Sequence, residues 1–341
     1  MIVDARRCRI RRACVLTGML AAAAACRSLP DEAPWSPELK LIPIGDAIVV
    51  CGQRFAIGAP VVLWTDPGGY SAYSSVLRFP EDPPVEAPIG LRYQPGRRMT
   101  KQPGSKELRL GAMFGTPRCL DDLKEAIDQF VLHYDVCGTS RQCFKVLHDR
   151  RKLSVHFMLD IDGTLYQTLD LSDTAWHARQ ANPRSVGVEI ANIGAYPPGS
   201  GTLEEWYGFD GDGVRIRLPE RMGDGGVRTP SFVGRPARPE RVRGMIHGVE
   251  YEMYDLTPEQ YVTLAKLAAQ LSRIFPKLAL DAPRDAQGAV RPDALAGSEF
   301  EQFRGLLGHY HVTRDKQDPG PAFDWEAVLE RARELRAAQE I

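Results

Sequence analysis

The sequence predicts an α/β chain of the mixed α+β kind, and three observations carry that expectation. Between residues 120 and 190, apolar runs of helical period alternate with runs of strand length. Residues 186–190 (VGVEI) have the composition of a strand buried on both faces. Thr257-Pro-Glu-Gln260 supplies an N-cap, a proline at the first helical position and a capping-box glutamine. The helix it opens sets Leu264, Leu267, Ala268, Leu271, Ile274 and Phe275 on one stripe.

In chain order, residues 41–93 contain short apolar runs at 47–51 and 60–64, broken by Pro67-Gly-Gly69. They predict a few strands and turns. The stretch 41–110 reads as a small β-rich N-terminal extension ahead of a main domain at 111–341. Residues 120–129 have helical spacing and feed a strand at 130–133. Ser140 is placed to cap a helix running to about Lys152, with Phe144 and Leu147 inward. Residues 155–167 read as a β-hairpin turning at Asp162-Gly163. Asp324 is placed to cap a last helix ending near Ala338. Residues 195–243, rich in Gly, Pro, Arg and Asp, lack sustained periodicity, and 281–297 is a second such stretch. The longer one reads equally as a groove-edge loop or a decorative insertion.

The N-terminus is an export signal rather than part of the fold. Five arginines precede a short run of small apolar residues ending at Cys26, too short to span a membrane. Ala23-Ala-Ala-Cys26 is similar to a bacterial lipoprotein cleavage box, so residues 1–26 read as a lipoprotein-type signal with Cys26 the lipidated residue; simple cleavage after an Ala-x-Ala site is the other reading. Residues 27–40 read as a tether. The expected location is the periplasm, anchored to the membrane through the lipid alone.

The chain carries a net charge of −1, and removing residues 1–25 leaves the remainder near −5. A mildly acidic protein does not coat anionic polymers by charge, so nucleic acid is not an expected partner. With 43% hydrophobic and 26% charged residues, collagenous and disordered classes are excluded as well. Four cysteines remain after the signal and Cys26: Cys51, Cys119, Cys137 and Cys143. An even set in an oxidising compartment suggests bridges, with free buried thiols as the alternative.

The chemistry is concentrated in separated segments. His133 ends an apolar strand, His309 follows Gly308, and Asp318 opens Asp-Pro-Gly-Pro. Two imidazoles and a carboxylate are the ligand set of a catalytic zinc, which keeps its fourth position open. His311, two residues beyond His309, could share its side on an extended chain, and His309 is preferred. Lys316 adds a fixed positive charge beside the site. Glu189 is an ionisable carboxylate on a strand of buried composition. Together these point to hydrolysis of a polarised carbonyl.

Residues 154–163 (SVHFMLDIDG), Ala175-Trp-His-Ala178, Gly187-Val-Glu189 and Asp318-Pro-Gly-Pro321 stand in one order. In that order they resemble the zinc-dependent N-acetylmuramoyl-L-alanine amidases, whose fold is shared with peptidoglycan recognition proteins. The resemblance runs from about Cys119 to Trp325. It implies a central mixed β-sheet flanked by helices with one zinc ion at an end of the sheet, held by His133, His309 and Asp318. Glu189 is implied as the proton-transferring base and Lys316 as the oxyanion stabiliser. Val155 takes the place where phage relatives carry a tyrosine, which leaves the base role to Glu189. Trp176, His177, Arg179 and Asn192 are implied to line the substrate groove. Cys137 and Cys143 match a bridge common in peptidoglycan recognition proteins, which would leave Cys51 to pair with Cys119.

The implied activity is cleavage of the amide between N-acetylmuramic acid and L-alanine, on intact peptidoglycan or released muropeptides, by a monomer. The alternative is a module that binds peptidoglycan without cutting it. The completeness of the ligand set argues for catalysis, and the lack of a His-Glu-x-x-His helix argues against an unrelated metallopeptidase.

Overall fold

A computed structural model describes residues 45–79, 90–99, 108–109 and 119–338. The expected signal, Cys26 and the expected tether lie outside the described residues.

Seven strands form the central sheet. In chain order they are β1 (Gly45–Val50), β2 (Gln53–Leu63), β3 (Gln129–Tyr134), β4 (Phe157–Leu159), β5 (Leu165–Gln167), β6 (Ser185–Ile190) and β7 (Gly305–Gly308). Their spatial order is β1-β2-β5-β4-β6-β3-β7. The strands β4, β6, β3 and β7 run parallel, whereas the β1–β2 and β4–β5 pairs are antiparallel, so the sheet is mixed. The two-residue link Cys51-Gly52 has both φ values positive, the geometry that suits a tight hairpin. Residues 61–63 of β2 then pair with 165–167 of β5, so the strands expected near residues 47–51 and 60–64 extend the main sheet.

The main core covers one face. Phe130, Leu132, Phe157, Leu159, Val186, Val188 and Ile190 are buried there with Leu123 of helix α1 (Cys119–Ala126), Leu264, Leu267 and Leu271 of helix α3 (Pro258–Ile274), and Phe275, the residue that ends α3. The expected cap is in place: Thr257 accepts from the Gln260 N–H, and Gln260 Oε1 accepts from the Thr257 N–H at 2.9 Å. Helix α4 (Trp325–Ala338) packs on α3, its start held by an Ala327 N–H bond to Asp324 Oδ1 at 3.0 Å. On the sheet's other face lies Met158, packed with Phe144 and Cys143 of helix α2 (Ser140–Phe144). Here the cap differs from expectation. Thr139 is the N-cap, accepting from the Gln142 N–H at 3.3 Å, and Ser140 is the first helical residue. Since strand side chains alternate between faces, residues 131, 133, 187 and 189 belong to the face away from the main core.

The stretch after residue 195 is structured despite its lack of period. It forms a helix at Thr202–Trp206 and a hairpin of Tyr207–Asp210 with Gly213–Ile216. A second hairpin pairs Val242–Ile246 with Val249–Met253. Leu203, Trp206, Tyr207 and Val214 bury a small core of their own with Ile193 and Tyr254.

Candidate active site

Three neighbouring parallel strands deliver the site. Glu189 of β6 is the register partner of His133 of β3, and Gly308, the last residue of β7, is the partner of Leu132. Parallel strands end on the same side, so their C-terminal ends bring Glu189, His133 and His309 to one edge of the sheet. His309 opens the single helical turn His309–Val312. Asp318 returns from the following loop, its carbonyl accepting from the Tyr310 N–H at 3.2 Å.

The three proposed ligand atoms form a nearly equilateral triangle. His133 Nδ1 lies 3.0 Å from His309 Nδ1 and 2.9 Å from Asp318 Oδ2, and the third side is 3.0 Å. All three residues are buried. Burial, with His309 adding to it, lowers the His133 pKa to about 4 against the pull of Asp318, so the imidazole is neutral. Burial opposes ionisation of Asp318, but His309 and the hydrogen bonds of both histidines outweigh it and hold the carboxyl below its usual range. An unprotonated imidazole and an ionised carboxylate are the ligating forms of these side chains. Two nitrogens and an oxygen at the corners of one tetrahedral face suit a metal with three protein ligands and an open fourth position. Among the described residues this is the group of His, Cys, Asp and Glu side chains close enough together to hold a metal.

The triangle opens into a cleft of about 200 Å³ lined also by Glu189, Lys316, Trp176, His177, Arg151, Asp135, Asp315, Cys137 and Cys143. Glu189 is pushed well above the ordinary glutamate range by burial and then by Asp318 and Asp135, with Lys316 and Arg151 opposing. The loop bearing Lys316 is tied to the second insertion hairpin: His247 Nε2–H donates to the Lys316 carbonyl at 3.1 Å. On the same hairpin Gly244 has no room for a Cβ, which would meet Pro321 at 2.8 Å.

The structure redistributes the other expected residues. Trp176 is half-buried in the cleft wall. His177 lines the cleft but spends both ring nitrogens on protein, Nδ1 on His133 Nε2 at 3.0 Å and Nε2 on Ser185 Oγ at 3.3 Å. Arg179 is exposed and paired with Asp315 at 2.6 Å, so it sits beside a cleft residue rather than in the cleft. Asn192 corrects the expectation of a groove residue. It is buried, donates to the Tyr254 carbonyl at 3.3 Å and accepts from the Gly194 N–H at 2.8 Å, which makes it a bracket for the chain after β6. His311 points away from the triangle, accepting from the Gly308 N–H at 2.9 Å and donating to the Arg291 carbonyl at 2.7 Å. Val155 is fully buried.

The expected Cys137–Cys143 bridge is also corrected. Both are free thiols, and Cys143 is hydrogen-bonded to Cys137, an S–H contact rather than the ~2 Å sulfur–sulfur bond of a disulfide. Cys51 is disulfide-bonded, while the side chain of Cys119 lies outside the described residues. Arg151, Asp135, Asp315 and His247 were not anticipated. The sequence signal for them is weak: Asp135, Arg151 and Asp315 lie a few residues from recognisable segments, and His247 sits in a hairpin turn just past the aperiodic stretch.

Comparison with known proteins adds a family and a set of distant structures. The profile of the N-acetylmuramoyl-L-alanine amidases matches residues 123–321, more than half of the chain. No curated protein sequence matches. Among solved structures, AmpD is 17% identical, with 64% of this chain and 90% of that one covered at a TM-score of 0.31. The amidase LysC from Clostridium intestinale is 16% identical, with 62% and 88% covered at 0.33. The amidase AmiD from E. coli, solved with anhydro-N-acetylmuramic acid-L-Ala-D-gamma-Glu-L-Lys, is 17% identical, with 68% and 64% covered at 0.33.

Proposed function

The chain belongs to the N-acetylmuramoyl-L-alanine amidase family, and from that premise we propose that it hydrolyses the amide between N-acetylmuramic acid and L-alanine with one zinc ion held by His133, His309 and Asp318. The observation that carries the zinc reading is the triangle of His133 Nδ1, His309 Nδ1 and Asp318 Oδ2, with sides of 2.9 to 3.0 Å and a neighbouring carboxylate in strand register. Zinc in such a site supplies Lewis acidity and brings the pKa of water towards neutrality.

The chain's own residues do the rest. Glu189 stands beside His133, where a carboxylate oxygen takes a proton from the attacking water and later hands it to the leaving nitrogen. Its displacement upward by burial makes it a stronger base than an ordinary carboxylate, which suits that exchange. Lys316 Nζ provides positive charge for the oxyanion of the tetrahedral intermediate. Trp176 gives an apolar wall against which a sugar or the lactyl-alanine segment can lie. The peptidoglycan strand or muropeptide is bound locally at this cleft. The N-terminal 26 residues export the protein and Cys26 anchors it by lipid, so that a monomer works at the periplasmic face of the membrane.

The test is incubation of purified, zinc-loaded protein with purified peptidoglycan and with soluble muropeptides, followed by mass spectrometry of the products. Free stem peptides beginning with L-alanine, lost on chelation and restored by zinc, are expected. One equivalent of bound zinc with no cleavage of either substrate would overturn the catalytic reading in favour of a binding module.

A further inference from the structure

His133 has a second nitrogen, and the structure accounts for it. Its Nδ1 faces His309 and Asp318, so the lone pair used for a metal is on Nδ1 and the ring proton is on Nε2. That N–H points at His177 Nδ1, 3.0 Å away, which must accept. His177 therefore carries its own proton on Nε2, facing Ser185 Oγ at 3.3 Å. Both ring N–H donors meet acceptors, and one assignment of tautomers satisfies the pair of histidines.

The series ends on rigid ground. Ser185 opens β6, fully buried, and its carbonyl takes a guanidinium hydrogen bond from Arg97 at 2.9 Å. The His177 backbone is fixed too, its N–H donating to Asn182 Oδ1 at 3.2 Å. The ring lies flat enough on β6 that a Cβ at Gly187 would fall 2.5 Å from its Cε1 and Nδ1. Backbone, both ring nitrogens and one ring edge of His177 are thus held by protein, which leaves little of the side chain to meet a substrate.

We propose that His177 is a positioning residue: backed by Ser185, it fixes the ring plane and tautomer of His133 so that Nδ1 is presented to the metal. The proposal rests on the zinc reading above. Outer partners of ligating histidines orient the ring and raise its basicity, and their loss weakens metal binding by about 10–100-fold.

The experiment compares wild type, His177→Ala, His177→Asn and Ser185→Ala by zinc competition with a chromophoric chelator and by the visible spectrum of the cobalt-substituted protein. His177→Ala is expected to bind zinc about 10–100-fold more weakly with altered cobalt bands. His177→Asn, whose Oδ1 can accept at the position of Nδ1, is expected to recover most of both readouts. Ser185→Ala is expected to move them in the same direction by less. Unchanged zinc affinity and cobalt spectrum in His177→Ala, with only KM raised, would overturn the proposal and make His177 a substrate contact. If that variant does not fold, an unchanged Ser185→Ala overturns it instead. Wild-type protein that takes up no zinc would overturn the zinc reading itself along with this inference, a result distinguishable from variants that match a zinc-binding wild type.

Discussion

Glu189 and His133 are register partners on adjacent parallel strands, so a carboxylate and an imidazole leave the same face of the sheet side by side. This pairing sets the proposed base beside the candidate metal ligands without making it one of them, because the triangle is already closed by Asp318. Glu189→Gln should therefore keep zinc bound at one equivalent and keep the rise in Tm that zinc confers, while kcat falls by about 10²–10⁴-fold. Metal analysis and thermal melts with and without chelator, beside product release, check it. A variant that retains turnover removes Glu189 from the mechanism.

The proposed role of Lys316 bears on two quantities at once. Its charge should stabilise the oxyanion, so Lys316→Met is expected to lower kcat by about 10²–10³-fold. Its charge also favours the ionised form of Glu189 against burial, Asp318 and Asp135. Removing it raises the Glu189 pKa further, and the acid limb of the kcat/KM profile should move to higher pH than in wild type. A pH–rate profile of both proteins decides this, and a limb that stays put would separate Lys316 from Glu189.

Much of this site was legible in the sequence because its parts are local. The strand bearing Glu189 declares itself by composition, and the capping box at Thr257 is a four-residue signal. What was not legible depended on direction or on distance in space. His309 and His311 would share a side on a strand, but the chain takes a helical turn there, which rotates positions two apart by about 200° and sends His311 to the Arg291 carbonyl. Asn192 follows a motif that lines a cleft, yet its side chain turns back to bracket its own loop. Whether two nearby cysteines are bonded or hydrogen-bonded is a matter of ångströms that spacing does not encode. The hairpin carrying His247 is half legible: Val249–Met253 alternates apolar residues with glutamates, whereas its partner Val242–Ile246 shows no such alternation and lies against the aperiodic stretch.

Gly187 is a packing constraint on the site. Gly187→Ala places a methyl group 2.5 Å from the His177 ring, and the strand is fixed between β4 and β3, so the ring must move. The cost to folding should be about 1–3 kcal/mol, as for an overpacked core position. Zinc affinity should fall as well, since the displaced ring is bonded to His133. Urea unfolding paired with zinc competition tests both halves, and a variant with wild-type affinity would mean that the ring has room to shift without disturbing the ligand.

The second insertion hairpin gives the stability of the site an acid-sensitive component. Glu252 on it is almost fully buried and meets Arg241 at 3.1 Å and Arg243 at 3.0 Å. Burial alone would raise its pKa, but the Gly199 N–H and the two arginines outweigh it and hold the carboxyl below the ordinary 4.5. A carboxyl whose folded pKa is depressed adds stability that is full above its unfolded value and is lost as pH falls through the folded one. Wild type should exceed Glu252→Gln by about 2 kcal/mol at pH 7, the scale of hydrogen bonds to a charged group. That advantage should shrink as the pH drops below about 4.5. Paired urea midpoints at pH 7 and pH 4 measure the difference directly. The same hairpin donates the His247 bond to the Lys316 carbonyl, so Glu252→Gln should also loosen the loop bearing Lys316 and lower kcat at neutral pH. A gap between the two proteins that does not narrow in acid would show that the bonds of Glu252 persist when it is protonated and that the ion pairs carry little of its contribution.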